Sequence, residues 1–260
     1  MVPIIIGAIL IVLGVLLILV VRTRIKNKNI EIQFMKTVSL SDVKTTLKEN
    51  ESAGLTDYRE YAEIKGTASS DTAIKTPYSE TEVAYYDAAL YQVFEETETY
   101  SDENGTHTRV NRREDLMSSQ KSPGPIAVED GGEKAYIELM EHGMQLDTVK
   151  TLDKFEPTNM MNQYGFFSSL SYNPRGTRTL GFRMVEKTIP LRQPLYVLGD
   201  VYAQGGRLNI TKPADSKKPF IVSVKNEADL IHGNKVGATA SLVGGIVAAA
   251  AGIAVMLLVH

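Results

Sequence analysis

The sequence predicts a mainly β fold class: a soluble domain built as a small barrel or meander with accessory α-helices, flanked by two transmembrane α-helices. Three observations carry this expectation. Residues 3–21 contain no charged or polar side chain, and residues 237–259 contain only Thr239 and Ser241 as polar members. The stretch 22–236 breaks instead into short runs of aromatic and β-branched residues bounded by glycine or proline, the pattern of successive strands and tight turns. None of the 260 residues is cysteine, which removes disulfide scaffolds, thiol nucleophiles, iron–sulfur clusters and cysteine-based zinc fingers from consideration. The mean hydropathy of −0.11 averages two apolar ends with a polar middle. A net charge of −3 gives no reason to expect nucleic acid as a partner.

The first apolar run reads PIIIGAILIVLGVLLILVV, 19 residues, about 28 Å as a helix and close to the thickness of a bilayer's hydrocarbon core. A cleaved leader would carry its basic residues before the run and small residues at a cleavage site. Here Arg22, Arg24, Lys26 and Lys28 follow the run, so an uncleaved anchor is expected. The same four cations place residues 22–236 in the cytoplasm and both termini outside, by the positive-inside rule.

The second run, GATASLVGGIVAAAAGIAVMLLV, spans 23 residues. Ala240, Gly244, Ala248 and Gly252 recur every four residues, which puts four small residues on one helix face. Such a face allows close helix approach inside lipid. The expected occupant is the first span, which offers Gly7 and Gly14, or a second copy of the chain in a homo-oligomer. The expected partners are therefore the lipid bilayer and a membrane or peripheral protein.

Between the spans, Asn29 to Lys48 is mixed, and Ser41 before DVKTTLKEN is a candidate cap for a short helix with Val43 and Leu47 on one face. Tyr61, Ile64 and Ala68 around Gly66 suggest a strand. Val83 to Tyr100 lacks glycine and proline and is rich in aromatic residues, which favours a long strand over a helix. Asn104-Gly105 then signals a hairpin. Its outgoing arm is acidic, and its return arm carries Arg109, Arg112 and Arg113, so opposite charges would face across the ladder. Asp130-Gly131-Gly132 joins two further arms, and RTLGFRMVEKTIP, LYVLGDVYA, GRLNITK and PFIVSVK read as strands, with Gly205-Gly206 as a turn. Leu152 to Arg175 is the least regular stretch, and NEADLIHGNK suggests a short helix leading into the second span.

Chemical motifs are sparse. His107, His142, His232 and His260 lack ligand spacing, so no metal site is expected. No phosphate-binding loop and no nucleophile elbow occurs, and no cofactor or catalytic residue is assigned. The Asn104 and Asn209 sequons matter only in a glycosylating compartment. One cluster in residues 159–183 stands apart: Tyr164, Tyr172, Arg175, Arg178 and Arg183. Arg175, Arg178 and Arg183 form a speculative anion site for a membrane-bound enzyme or ligand-binding sensor, since guanidinium groups clamp anions well. Solvated loop arginines are the plainer reading.

The layout of span, β-rich domain and span resembles the GIDE, or beside-a-membrane, domain family. The residues that carry the resemblance are VSLSDVK near Val38, EIKGTASSDTAIKTPYSETEVAYYDAALYQVFEE from Glu63 and IAVEDGGEKAYIEL from Ile126. The closing segment from Ile189 to Leu230 matches best. The resemblance implies a module that recruits partners close to a bilayer. In the family's mitochondrial ubiquitin ligase, that module precedes a zinc-binding RING and faces the intermembrane space. With no cysteine, and only His260 after the second span, ligase catalysis is not expected to carry over, and the charge pattern favours the cytoplasm. The expectation is a membrane-anchored, non-enzymatic interaction or scaffold protein.

Overall fold

The computed structural model describes residues 2–72, 74–103, 105–139, 142–158 and 177–257. The described elements run α1 (Val2–Phe34), α2 (Leu40–Ser52), β1 (Glu60–Ser69), β2 (Ile74–Lys75), β3 (Glu82–Asp102), β4 (Gly105–Lys121) and β5 (Ile126–Asp130). They continue with β6 (Glu133–Ile137), β7 (Met144–Asp147), β8 (Val149–Pro157), β9 (Thr177–Pro190), β10 (Pro194–Gln204), β11 (Arg207–Thr211), β12 (Phe220–Ser223) and α3 (Glu227–Leu257). The fold is mainly β, with a long apolar helix near each end of the chain. It divides into two compact units, Met1–Gly66 with Asp130–Asp147 and Pro194–His260, and Thr67–Glu129 with Thr148–Gln193. Residues 22–236 thus contribute to both.

The first unit holds all three helices. α1 does not stop where its apolar run stops: RTRIKNKNIEIQF contains neither glycine nor proline, so nothing interrupts the helix before Phe34. These 13 residues add about 20 Å of helix, and from Asn29 onward they are helical where the sequence is mixed in character. α2 is capped two residues earlier than expected. Ser39, not Ser41, has the extended backbone of an N-cap, and its Oγ accepts from the Asp42 amide. Asp130 Oδ2 accepts from the Leu40 amide at 3.0 Å, and Leu40, Val43 and Leu47 are buried. α3 is one continuous helix from Glu227, capped by Asn226 Oδ1 on the Asp229 amide; the expected short helix and the span are a single element.

In the sheet of this unit β10 pairs antiparallel with both β11 and β12, while β11–β6 and β12–β7 are parallel. A pure meander has no parallel pairs. The Gly205-Gly206 turn joins β10 to β11 with φ values of 59° and 78°, a backbone that glycine adopts without steric cost. β12 is buried along its whole length, and β10 over seven consecutive residues. Tyr196, Leu198 and Ile221 from these strands pack with Ile32 of α1 and Leu230 of α3 in one core.

In the second unit β3 pairs antiparallel with β4 on one side and β9 on the other, and β8 lines the far edge of β9. The β3–β4 ladder shifts register once, between Leu90 and Tyr91, and runs on to Asp102 opposite Gly105; Asn104 lies outside the described residues. The opposed charges of this hairpin do meet: Glu98 faces Arg109, Glu95 faces Arg112, and Arg113 bonds Glu96 at 2.6 Å and Glu98 at 3.2 Å. Leu90, Phe182 and Met184 form the buried core. Glu186, fully buried, accepts from the Tyr78 and Ser79 amides and the Ser79 hydroxyl, which fixes the turn between β2 and β3. The irregular stretch expected from Leu152 is a strand as far as Pro157. β8 is mostly exposed, so hydrophobic alternation is missing from its sequence.

Gly181 shows how closely β8 and β9 lie. A Cβ there would overlap the Glu156 carbonyl oxygen and sit 2.7 Å from Pro157 Cα. Both are backbone atoms and cannot swing aside. Gly181→Ala should therefore cost about 1–3 kcal/mol and lower the thermal midpoint followed by circular dichroism. An unchanged midpoint would mean that β8 moves away freely.

Candidate functional site at the helix–sheet junction

The most structured polar group in the first unit lies where the chain passes between α1, β1, β10 and α3. Glu63 sits in β1 between Ala62 and Ile64, and all three are buried. A carboxylate this deep, 1% exposed, is tolerable only with its oxygens paired. Thr37, just after α1, donates to Oε1 at 2.5 Å, and Tyr196 of β10 donates to Oε2 at 2.8 Å. Lys65 Nζ lies 3.0 Å from Oε1 and 3.2 Å from Glu227 Oε2 in the first turn of α3. The Val38 amide donates to the Glu63 carbonyl at 3.0 Å. One side chain thus ties the exit of α1 and the entry of α3 to two strands. Burial, then the bond to Glu63, pushes the Tyr196 hydroxyl far above the ordinary tyrosine range. Burial alone would lower the Lys65 ammonium, but its contacts to Glu63 and Glu227 raise it. Among the described residues each of these groups has a partner, and together they make a fixed tie between the four elements.

A second tie lies at the end of β7. Asp147 accepts from Lys225 Nζ and Ser223 Oγ, each at 2.9 Å, and from Gln145 Nε2 at 2.5 Å. Gln145 Oε1 in turn accepts from Lys28 of α1. Burial opposes ionisation of Asp147, but the three donors outweigh it and hold its pKa below the ordinary aspartate value. A depressed folded-state pKa stabilises the protein above the unfolded value and is lost as pH falls through the folded one. Asp147→Asn should therefore flatten the acid limb of the stability profile below about pH 4. Parallel acid limbs for variant and wild type in urea titrations at several pH values would refute this.

α1 and α3 meet along a glycine seam. A Cβ added to Gly7 would lie 2.6 Å from the Gly252 carbonyl oxygen, and one added to Gly252 would lie 2.6 Å from the Gly7 carbonyl. Gly14 and Gly245 stand in the same reciprocal relation at 2.7 and 2.9 Å, with Ala249 beside them. The backbones touch at two points seven residues apart on each helix, which only glycine allows. The apolar side chains point outward: Leu19 is 59% exposed and Val247 62%. Both helices are long and apolar enough to cross a membrane. Beyond the seam, Asn234 Nδ2 donates to Asn29 Oδ1 at 2.7 Å.

Comparison with known protein families gives a match over most of the second half of the chain. Residues 95–257, more than half of the chain, match the GIDE family, described as E3 ubiquitin ligase. The chain belongs to the GIDE family. The GIDE match begins within β3 and ends with α3, so it includes Tyr196, Asp147 and Glu227 but leaves Glu63 and α1 outside. No curated protein and no solved structure matches the chain. The ligase description of GIDE raises the zinc of a RING. None of these 260 residues is cysteine, and among the described residues no group of three His, Cys, Asp or Glu could hold a metal ion. The residues present do not fit such a centre.

The residues singled out from sequence are placed as follows. Gly252 lies in the seam and Ala248 is half-buried, while Ala240 and Gly244 are exposed and Gly244 has open space around it. Arg178 bonds Glu95 at 3.0 Å. Arg183 bonds Asp153 at 2.6 Å and Glu114 at 2.9 Å. Arg175, Tyr164 and Tyr172 lie outside the described residues. His107 stacks on Tyr100 and contacts Asp102 at 3.0 Å. The Glu63 tie was not found from sequence, because a glutamate among strand residues gives no local sign that both faces of its strand are covered.

Proposed function

We propose that this GIDE protein is a membrane-anchored, non-enzymatic interaction or scaffold protein that presents its β-rich domain beside the bilayer. The observation that carries the proposal is the outward apolar surface of a helix pair whose inner faces are already joined by glycine. Such a surface, from Ile5 to Leu19 and from Val243 to Ile253, is suited to lipid rather than to water. The satisfied ties around Glu63 and Asp147 support a holding role over a catalytic one, and Arg178 and Arg183 already have carboxylates as partners. The family's ligase description does not extend to these residues, which offer no thiolates for a RING.

In this reading the domain lies in the cytoplasm, because Arg22, Arg24, Lys26 and Lys28 follow the first apolar run. It recruits a membrane or peripheral protein partner, and the exposed Ala240 and Gly244 face is open to a second copy. The test is a tagged full chain extracted from native membranes in mild detergent, followed by mass spectrometry of what comes with it. Recovery of a defined partner or a homo-oligomer is expected; a lone monomer under every gentle condition would defeat the proposal. Orientation is checked with single cysteines placed at Val2 and Glu103 in this cysteine-free chain. An impermeant maleimide applied to whole cells should label the Val2→Cys protein and spare the Glu103→Cys protein.

A further inference from the structure

The charges at the base of the helix pair are segregated in a way the anchor alone does not require. Lys44, Lys65, Arg113, Arg178, Arg183 and Lys225 all bond carboxylates. Arg22, Arg24 and Lys26 of α1 and Lys235 of α3 are exposed, and among the described residues none of these four has a carboxylate partner. They also lie at one level. The antiparallel register that sets Gly7 against Gly252 and Gly14 against Gly245, continued along the pair, brings Arg24 level with Lys235. Arg22 and Lys26 are four residues apart and share a face of α1, whereas Arg24 points to another side. The cations therefore form a collar rather than a stripe. The nearest acidic residues on these helices are Glu31 and Asp229, about 7–9 Å further along the axis.

We propose that this collar binds the phosphate groups of anionic phospholipids. This rests on the membrane reading above. It goes further, because an anchor needs only apolar length, whereas four unpaired cations at the foot of the apolar run select for headgroup charge. Arginine adds a planar fork of donors that meets two phosphate oxygens at once. The partner is a lipid surface and not a soluble anion, since the four groups surround two helices and do not converge on one point.

The full chain is reconstituted into vesicles of phosphatidylcholine mixed with phosphatidylglycerol, washed with alkaline carbonate, then extracted gently for native mass spectrometry of retained lipids. The comparison is with the R22Q/R24Q/K26Q/K235Q variant, and glutamine keeps the helix propensity of these positions. A K48Q/K217Q variant removes two cations elsewhere. Wild type and K48Q/K217Q should retain phosphatidylglycerol several-fold over its bulk share, with the excess shrinking as salt rises. The collar variant, still resistant to carbonate, should retain lipids near the bulk ratio. Equal enrichment in the collar variant, or none in wild type while carbonate resistance persists, would overturn the collar alone. Release of the wild-type chain by carbonate would overturn the membrane reading and the collar with it.

Discussion

Replacing Glu63 with alanine will destabilise the first unit by about 2–4 kcal/mol, because it leaves a cavity at a buried position and takes the acceptor from a buried hydroxyl. Of the three donors that lose Glu63, the Tyr196 hydroxyl is the one left buried without an acceptor, whereas Thr37 is exposed and Lys65 keeps Glu227. The Tyr196 hydroxyl has no water to turn to, since the residue is 3% exposed. Glu63→Gln keeps an acceptor oxygen for one of the hydroxyls and should cost less, about 1–3 kcal/mol. Denaturant titration in mild detergent measures both. Limited proteolysis adds a local readout, because loss of the tie should open the segment between Phe34 and Leu40 first. An alanine variant as stable as the glutamine variant would show that Glu63 is not the keystone of this junction.

The second large effect is expected at Gly245. Leucine there would drive its Cβ into Ile18 and to 2.9 Å from the Gly14 carbonyl oxygen, so the helices must part along the seam. Gly244 supplies the control within the same turn. It has nothing within 4 Å, and leucine is a better helix former than glycine by nearly 1 kcal/mol. Gly244→Leu should therefore be neutral or slightly stabilising for the monomer, whereas Gly245→Leu should lose about 1–3 kcal/mol. Denaturing-detergent titration followed by circular dichroism compares them. If Gly244→Leu proves the more damaging, the intramolecular seam is wrong. If Gly244→Leu leaves the monomer intact but dissolves an oligomer, a second copy packs on the face of Ala240 and Gly244.

The strands that build the cores were readable because burial leaves a mark on composition. β3, β9, β10, β11 and β12 stand out as apolar, β-branched runs, and the turns at Gly131-Gly132 and Gly205-Gly206 need glycine for their positive φ. β8 escaped because an edge strand exposed along most of its length carries no periodic signal. The extension of α1 to Phe34 escaped because its residues permit a helix without demanding one. Parallel pairing of β6 with β11 and of β7 with β12 depends on which segments meet in space, and no local pattern encodes that. The seam was half visible. The spacing of seven between Gly7 and Gly14 recurs between Gly245 and Gly252, yet the four-residue recurrence through Ala240 and Gly244 was the more conspicuous pattern. The Glu63 tie and the carboxylate partners of Arg178 and Arg183 belong to long-range geometry and were beyond reach.

On the membrane reading proposed above, the continuation of α1 past its apolar run makes the helix pair a gauge. Thirteen helical residues rise about 20 Å before Phe34, with no glycine or proline to act as a joint, and the Asn29–Asn234 bond couples the two helices along the way. Elevation and azimuth of the first unit are then set by residue count: one added residue turns whatever follows by about 100° and lifts it by about 1.5 Å. A partner that docks from the bilayer would meet this surface at one height and one bearing. Changes in the number of residues between Val21 and Phe34 should matter more to such a partner than changes in their identity.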